Sequence, residues 1–364
     1  MKIYLVTPDT TTSTGLSTYA QALVKYTPRN FKDTPVEIQL LAPSPASLFS
    51  KAFFSLFGLD WPTLKKSYPF FWSLPNEGII HFTNQQQGLS LLFHKKHAQQ
   101  CVVTVHDLIP LTPIAQYPFL RRLLFKLSTR GLSHAAQIVA DSEHTKQDII
   151  RYLHLPEQRI TVIPLGVDTT IFKPRNMKKK PLSILYVGSE EPRKNFSVLL
   201  KAFALLKKKL PQAKLINVGT AQWPDARQKS LELMYNLGLY ADDVVFKGYV
   251  DNLVVEYNRA EVFVFPSLYE GFGLPVLESM ACGTPVICSS KTSLPEIGSD
   301  AVLYFDGNNT EVLAERLYAV LTQPQLRQEL RTKGFEQAKK FTWEKCIRET
   351  MKVYNKVFKR ISIS

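Results

Sequence analysis

Short apolar runs alternate with longer segments of helical period along the chain. Residues 3–6, 36–41, 79–82, 101–105, 138–140 and 160–163 are short, rich in β-branched side chains and bounded by Pro, Gly, Asp or Ser, which predicts strands. Residues 17–26, 119–132 and 142–153 carry apolar positions at helical spacing, and Ser142 stands where an N-cap belongs. The alternation restarts further on. Strands are predicted at 184–187, 214–218, 244–246, 262–265 and 285–288, and helices at 196–209, 225–237, 274–281, 310–321 and 325–340. A last helix, 343–359, follows two others with no strand after it. Strand–helix alternation of this kind predicts two parallel α/β domains, each a doubly wound sheet.

Between the two halves the pattern breaks. Residues 164–181 hold Pro164, Gly166, Pro174 and Pro181 together with Lys178-Lys179-Lys180. The expected organisation is a first domain over 1–168, a linker over 169–181 and a second domain over 182–342. The helix from about 343 to 364 returns to the first domain. The chain's 364 residues suffice for two cores, and 45% hydrophobic with 21% charged residues is an ordinary globular composition. No apolar run reaches the ~18 residues of a membrane-spanning helix. The run after Met1-Lys2 ends at Pro8-Asp9, too short for the core of a signal peptide. Cys101, Cys282, Cys288 and Cys346 form no CxxC pair, so reduced thiols in the cytoplasm are expected.

The formal charge is +14. The surplus is shared evenly: 18 basic and 11 acidic residues through Arg175, 27 and 20 after it. That distribution suits an anionic partner or a well-solvated surface, and it concentrates on no single element.

Doubly wound sheets bind ligands outside the carboxyl ends of their strands, and two loops there carry the chemistry. Pro266-Ser267-Leu268-Tyr269-Glu270-Gly271-Phe272-Gly273-Leu274-Pro275-Val276-Leu277-Glu278 begins as a predicted strand ends. Gly271 and Gly273 permit close backbone approach, and Pro275 suits a first helical turn, whose N–H groups attract anions. Glu270 precedes that helix and Glu278 lies just inside it. Gly188-Ser189-Glu190-Glu191-Pro192-Arg193-Lys194-Asn195 follows another strand, with a guanidinium and an ammonium suited to phosphate oxygens. Together the loops describe a pocket for a phosphorylated ligand with carboxylates nearby for its hydroxyls. A dinucleotide dehydrogenase is poorly supported, because Val276 stands where a third glycine would complete GxGxxG.

PSLYEGFGLPVLESMACGTPVI resembles the donor-site signature of the retaining glycosyltransferases of family 4, with Glu270 and Glu278 as its E-x7-E pair. The resemblance extends over nearly the whole chain. It takes in Gly15, His106-Asp107, Ala140-Asp141-Ser142-Glu143, Pro164-Leu165-Gly166-Val167-Asp168, Arg193-Lys194-Asn195, Ser293-Leu294-Pro295-Glu296 and Phe341-Thr342-Trp343. It implies the GT-B fold, two Rossmann-like domains facing each other across a cleft, and transfer of a hexose from a nucleotide-diphosphate sugar of the GDP-mannose or UDP-glucose type. The 164–168 and 293–296 blocks look more like mannosyltransferase relatives. Arg193 and Lys194 would bind the donor diphosphate. Glu278 would hold the ribose. Glu270, with the backbone of Phe272, Gly273 and Leu274, would hold the transferred sugar. Gly188 would line the donor site, Gly15 would lie in the loop under the diphosphate, and His106 would approach the sugar from the acceptor side. One departure is that Ser13-Thr14-Gly15-Leu16-Ser17 has a single glycine where many relatives have a pair.

No cofactor or metal is implied, since two fixed cations and helix N–H groups can stabilise a diphosphate leaving group. Asp242-Asp243 reads as a turn and His94/His97 lack a third ligand. On the acceptor side a glycan or lipid-linked acceptor is expected, in cell-surface polysaccharide or glycolipid synthesis. The aromatic segment 53–72 and the basic stretch Arg121-Arg122-Leu123-Leu124-Phe125-Lys126-Leu127 suggest peripheral contact with the inner face of a membrane, or a packed loop and a solvated helix face. Two alternatives stand beside the enzyme: a non-catalytic relative that binds a sugar nucleotide, and a basic α/β protein that binds nucleic acid. No nucleic-acid motif supports the second.

Overall fold

The computed structural model of the chain describes residues 1–7, 15–32, 34–41, 74–221, 223 and 225–362. The aromatic segment 53–72 and the residues just before Gly15 lie outside them. The chain forms two units, residues 1–165 with 343–364, and residues 166–342.

In the first unit β1 (Lys2–Val6), β4 (Glu37–Leu41), β5 (Ile79–Phe82), β6 (Cys101–Val105), β7 (Gln137–Ala140) and β8 (Ile160–Val162) form a parallel sheet in the order β4-β1-β5-β6-β7-β8. β2 (Asn30–Phe31) and β3 (Thr34–Pro35) make a small antiparallel pair beside it. β5, β6 and β7 are buried along their full length, as parallel strands covered by helices on both faces must be. Ser142 caps the helix Glu143–Leu153, its hydroxyl accepting the Thr145 N–H at 3.0 Å. The helix Trp343–Ile361 belongs to this unit. Its buried side chains include Cys346, Ile347, Thr350, Met351, Tyr354 and Val357, the three-and-four spacing of one buried helical face. It docks there with the Trp343 ring 6.4 Å from Tyr19, and with the Tyr354 hydroxyl 2.5 Å from His81 Nδ1.

The second unit repeats the architecture with β9 (Ser183–Val187), β10 (Lys214–Val218), β11 (Val244–Phe246), β12 (Val262–Phe265), β13 (Val286–Ser289) and β14 (Leu303–Phe305), all parallel, in the order β11-β10-β9-β12-β13-β14. The strand order reverses between β9 and β12, the topological switch point of a doubly wound sheet. The core gathers Ile184, Leu215, Val262, Val264 and Ile287 from the sheet with Leu199, Phe203, Leu313 and Leu317 from helices over it. Residues 169–181 are held against this unit. Arg175 N–H donates to Asn258 Oδ1 at 2.7 Å, Lys180 N–H to the Arg259 carbonyl at 2.8 Å and Lys179 Nζ to the Ala260 carbonyl at 2.7 Å. Asp243 serves a turn: its carboxylate accepts the Tyr240 N–H at 3.0 Å and pairs with Lys207 at 2.6 Å. All four cysteines are free and buried.

Candidate active site

In the second unit the loops after β9 and β12 run side by side at the switch point, tied by the Leu268 N–H on the Arg193 carbonyl at 2.8 Å. A 3₁₀ turn, Pro192–Lys194, ends at Asn195 in the left-handed region, φ 57°. Asn195 Nδ2 fastens that turn to the carbonyls of Pro266 (3.2 Å) and Gly307 (2.5 Å). The turn aims both cations at Glu270. Lys194 Nζ lies 2.6 Å and Arg193 Nη1 3.2 Å from Glu270 Oε1, and Arg193 also donates to the Tyr269 carbonyl at 3.0 Å. Lys194 stands over the Phe265 ring at 5.0 Å. Burial opposes ionisation of Glu270, but Lys194 and Arg193 outweigh it and hold the carboxyl below its ordinary value. Burial depresses Lys194, with Glu270 opposing.

The backbone of Glu270 is fixed by the segment that follows β13. Its N–H donates to Thr292 Oγ1 at 3.0 Å, and Ser293 Oγ donates to the carbonyls of Glu270 (3.0 Å) and Phe272 (2.8 Å). Gly273 then begins the helix Leu274–Ala281 at φ 118°, where a Cβ would stand 2.8 Å from Leu294 Cδ2. Glu278, one turn into that helix, accepts the Tyr257 hydroxyl at 2.9 Å. Burial pushes its carboxyl up to about 7, against the pull of that hydrogen bond. Gly188 begins the β9 loop and packs on Gly219, whose added Cβ would fall 2.2 Å from the Gly188 carbonyl oxygen. Arg193, Lys194 and Glu270 therefore meet directly, with Phe272, Gly273 and Leu274 in the same loop-to-helix turn. Glu278 is held by a different partner.

The first unit has its own polar cluster, also at strand ends. Thr83, His106 and Asp141 are each the first residue after β5, β6 and β7, three neighbouring strands. His106 Nδ1 lies 2.6 Å from Asp141 Oδ2 and Nε2 2.8 Å from the Thr83 carbonyl. A carbonyl only accepts, so Nε2 carries a hydrogen, and Nδ1 and Asp141 share another. Burial would depress the imidazole, but the Asp141 charge and hydrogen bond raise it above its ordinary value. Burial lifts Asp141 as well, with His106 opposing. Gln85 Oε1 accepts the His106 N–H at 3.2 Å, and the Tyr19 ring meets the imidazole edge-on at 5.2 Å. Tyr19 lies on the helix Gly15–Tyr26, which Gly15 opens.

Two sequence profiles cover the chain. Residues 167–337 match "Glycosyl transferases group 1" and residues 14–171 match "Glycosyltransferase Family 4". The O-antigen chain mannosyltransferase B of Escherichia coli is 34% identical over 271 residues, 70% of each chain. The chain belongs to glycosyltransferase family 4. This family 4 glycosyltransferase is also 31% identical over 258 residues to the serotype-specific mannosyltransferase WbdA of Escherichia coli. That match takes in 66% of the chain but 32% of WbdA, about a third of that longer relative. In fold it resembles sucrose-phosphate synthase of Thermosynechococcus elongatus (TM-score 0.73, 23% identity, 99% and 100% of the two chains). It also resembles Anabaena HepE in complex with UDP-glucose (TM-score 0.74, 16% identity, 98% and 100%). Both are solved GT-B structures, and the two Rossmann-like sheets place this glycosyltransferase in that fold.

Sequence reasoning assigned no role to Thr83, Asp141, Tyr257 or Thr292. Asp141 could have been found, since a carboxylate directly after a buried strand sits where these sheets bind ligands. Tyr257 lies on a short helix, Leu253–Arg259, whose polar contact with Glu278 leaves no mark in the local pattern.

Proposed function

We propose that this glycosyltransferase moves mannose, with retention of configuration, from a nucleoside-diphosphate mannose to a hydroxyl of a growing surface polysaccharide or its lipid-linked precursor. The observation that carries the reading is the convergence of Arg193 and Lys194 on Glu270 at the switch point of the second sheet. Glycosidic cleavage of a sugar nucleotide builds negative charge on the departing diphosphate. A guanidinium and an ammonium already fixed in a partly dry loop stabilise that charge without reorganising. The reading therefore asks no metal to do this work. Glu270 would receive sugar hydroxyls beside the start of the Leu274–Ala281 helix, and Glu278 would accept those of the ribose. Mannose is favoured over glucose because the relatives of 29–34% identity named as mannosyltransferases include two from Escherichia coli and one from Mycolicibacterium hassiacum. The UDP-glucose in HepE accompanies a chain only 16% identical.

The test is a thermal-shift panel of UDP, GDP, ADP and their sugar conjugates on wild type and Glu278→Ala, followed by transfer assays with the conjugate giving the largest shift. A ligand that binds only the folded state raises the melting temperature with RT ln(1 + [L]/Kd). GDP and GDP-mannose stabilising the wild type, with a smaller effect in the variant, is the expected result. Stabilisation by UDP-glucose alone would overturn the mannose assignment. Transfer that Glu270→Ala leaves intact would overturn the site.

A further inference from the structure

The helix Phe119–Arg130 begins with five consecutive exposed residues, Phe119-Leu120-Arg121-Arg122-Leu123, of which three are large and apolar. Phe119 is 81% exposed, and Phe93, on the short helix Ser90–Phe93, is 66% exposed. Clusters of exposed large apolar side chains mark contact surfaces more often than single ones do. The rest of the helix is anchored: Phe125, Ser128 and Thr129 are buried, so the apolar first turn is held rigidly outward. Arg121 lies over the Tyr117 ring at 4.4 Å, and Arg122 Nε donates to the Pro110 carbonyl at 3.2 Å, which fixes both stems.

Beside this helix runs an open groove of about 970 Å³, with Phe119, Arg122, Leu123, Lys126, Arg130 and His154 in its walls. No acidic residue is among the described residues that line it. The bias extends along one of the two segments that line it, where residues 78–140 hold six Lys or Arg and a single acidic residue, Asp107. Asp107 is occupied elsewhere, capping the Ile109 N–H at 3.1 Å. An apolar tip beside lysine and arginine, with no acidic residue among the described residues lining the groove, fits the boundary between acyl chains and anionic headgroups.

We propose that the first turn of the Phe119–Arg130 helix, with Phe93 beside Leu92 of the groove wall, docks this enzyme on an anionic lipid bilayer. Phe119, Leu120 and Leu123 enter the acyl boundary, and Arg121, Arg122, Lys126 and Arg130 meet lipid phosphates. The surface lies wholly in the first unit and rests on no assumption about the donor.

The experiment is co-sedimentation of the full chain with vesicles of phosphatidylglycerol and phosphatidylcholine, and with phosphatidylcholine alone, at low and physiological salt. Phe119→Ser/Leu123→Ser removes the apolar contact. Arg122→Glu/Lys126→Glu reverses two charges and should lower partitioning to anionic vesicles by at least about 25-fold, the factor for two basic contacts. Tyr235→Ser, at an exposed site in the second unit, is the control. Folding is checked by thermal melting, and donor binding by calorimetry with the free nucleotide. The expected result is wild-type and control binding to anionic vesicles only, weakened by salt and lost in both double variants, with melting and nucleotide affinity unchanged. Wild type that stays in the supernatant overturns the proposal, as does binding that both variants retain. Displacement by an equal concentration of soluble phosphorylated glycan would also overturn it, assigning the groove to an acceptor. Loss of nucleotide affinity alone bears on the donor site and leaves the membrane result standing.

Discussion

Glu270 Oε1 accepts a hydrogen from Lys194 Nζ at 2.6 Å although the two residues lie 76 positions apart and follow different strands. The contact makes the carboxylate an internal occupant of the cation pair. If Lys194 and Arg193 bind the donor diphosphate as proposed, it would draw them partly away from the carboxylate. Glu270→Gln is therefore expected to bind the free nucleoside diphosphate as tightly as wild type or more so, while kcat falls by roughly 10²-fold, as for loss of one preorganised polar group. Lys194→Met should weaken nucleotide binding and lower kcat together. Calorimetry with the free nucleotide, paired with initial rates, separates the two. Weaker nucleotide binding in Glu270→Gln would mean that the carboxylate organises the cations rather than competing for them.

In the proposed donor site Glu278 would bring a pH dependence. Its carboxyl, raised by burial to about 7, would accept ribose hydroxyls better as the carboxylate than as the acid. Donor KM is expected to rise as pH falls through about 7, because protonation removes an acceptor. Tyr257→Phe deletes the hydrogen bond that pulls this value down, so the midpoint should move to higher pH. A KM profile flat from pH 6 to 8 in the wild type would sink the assignment of Glu278 to the donor. A midpoint unmoved in Tyr257→Phe would sink only the coupling.

His106 is expected to position rather than to abstract a proton. Both ring nitrogens face acceptors, Asp141 Oδ2 and the Thr83 carbonyl, and Nε2 has no lone pair to offer. Asp141→Asn removes the charge that raises the imidazole, so its titration, followed by NMR, should shift to lower pH. A histidine raised in the folded state contributes stability that is full below its unfolded value of about 6.5 and is lost as pH rises through the folded value. The variant should lose part of its stability below that range and much less above it. An unshifted imidazole would show that the pair does not form in solution.

Much of the fold is legible in the sequence because the strands are continuous apolar runs with sharp polar ends. β5, β6, β10, β11 and β12 coincide with the runs that predict them. β14 escapes although residues 301–305 form an apolar run; in length, burial and edge position it matches β11, which is predicted. The helices Leu253–Arg259 and Leu294–Gly298 are too short to show a period. At the site, residue types and loop positions are legible, since each of the two loops is a short contiguous motif that follows a strand end. The partners are not. His106 meets Asp141 across 35 positions and Tyr257 meets Glu278 across 21, contacts that exist only once the sheet has ordered its strands.

Gly219 tests how far the Arg193–Lys194 loop depends on backbone closeness. It follows β10 directly, at φ 145°, and donates its N–H to the Gly248 carbonyl at 2.8 Å. Gly188, which opens the Arg193–Lys194 loop, donates its own N–H to the Val218 carbonyl at 2.9 Å. The two loops are packed so closely that a Cβ on Gly219 would fall 2.2 Å from the Gly188 carbonyl oxygen. That oxygen belongs to the main chain, so relief requires the β9 loop to move. Gly219→Ala combines a disfavoured φ with this clash and should cost about 1–3 kcal/mol of stability, measured by denaturant unfolding. Because the displaced loop carries the two cations, nucleotide affinity should drop beyond what the stability change explains, even at temperatures where the variant is fully folded. Full affinity in a destabilised variant would show that Asn195 on Pro266 and Gly307, with the Leu268–Arg193 hydrogen bond, holds the cation turn without the Gly188–Gly219 contact. The Gly188–Gly219 contact would then serve the sheet and not the donor.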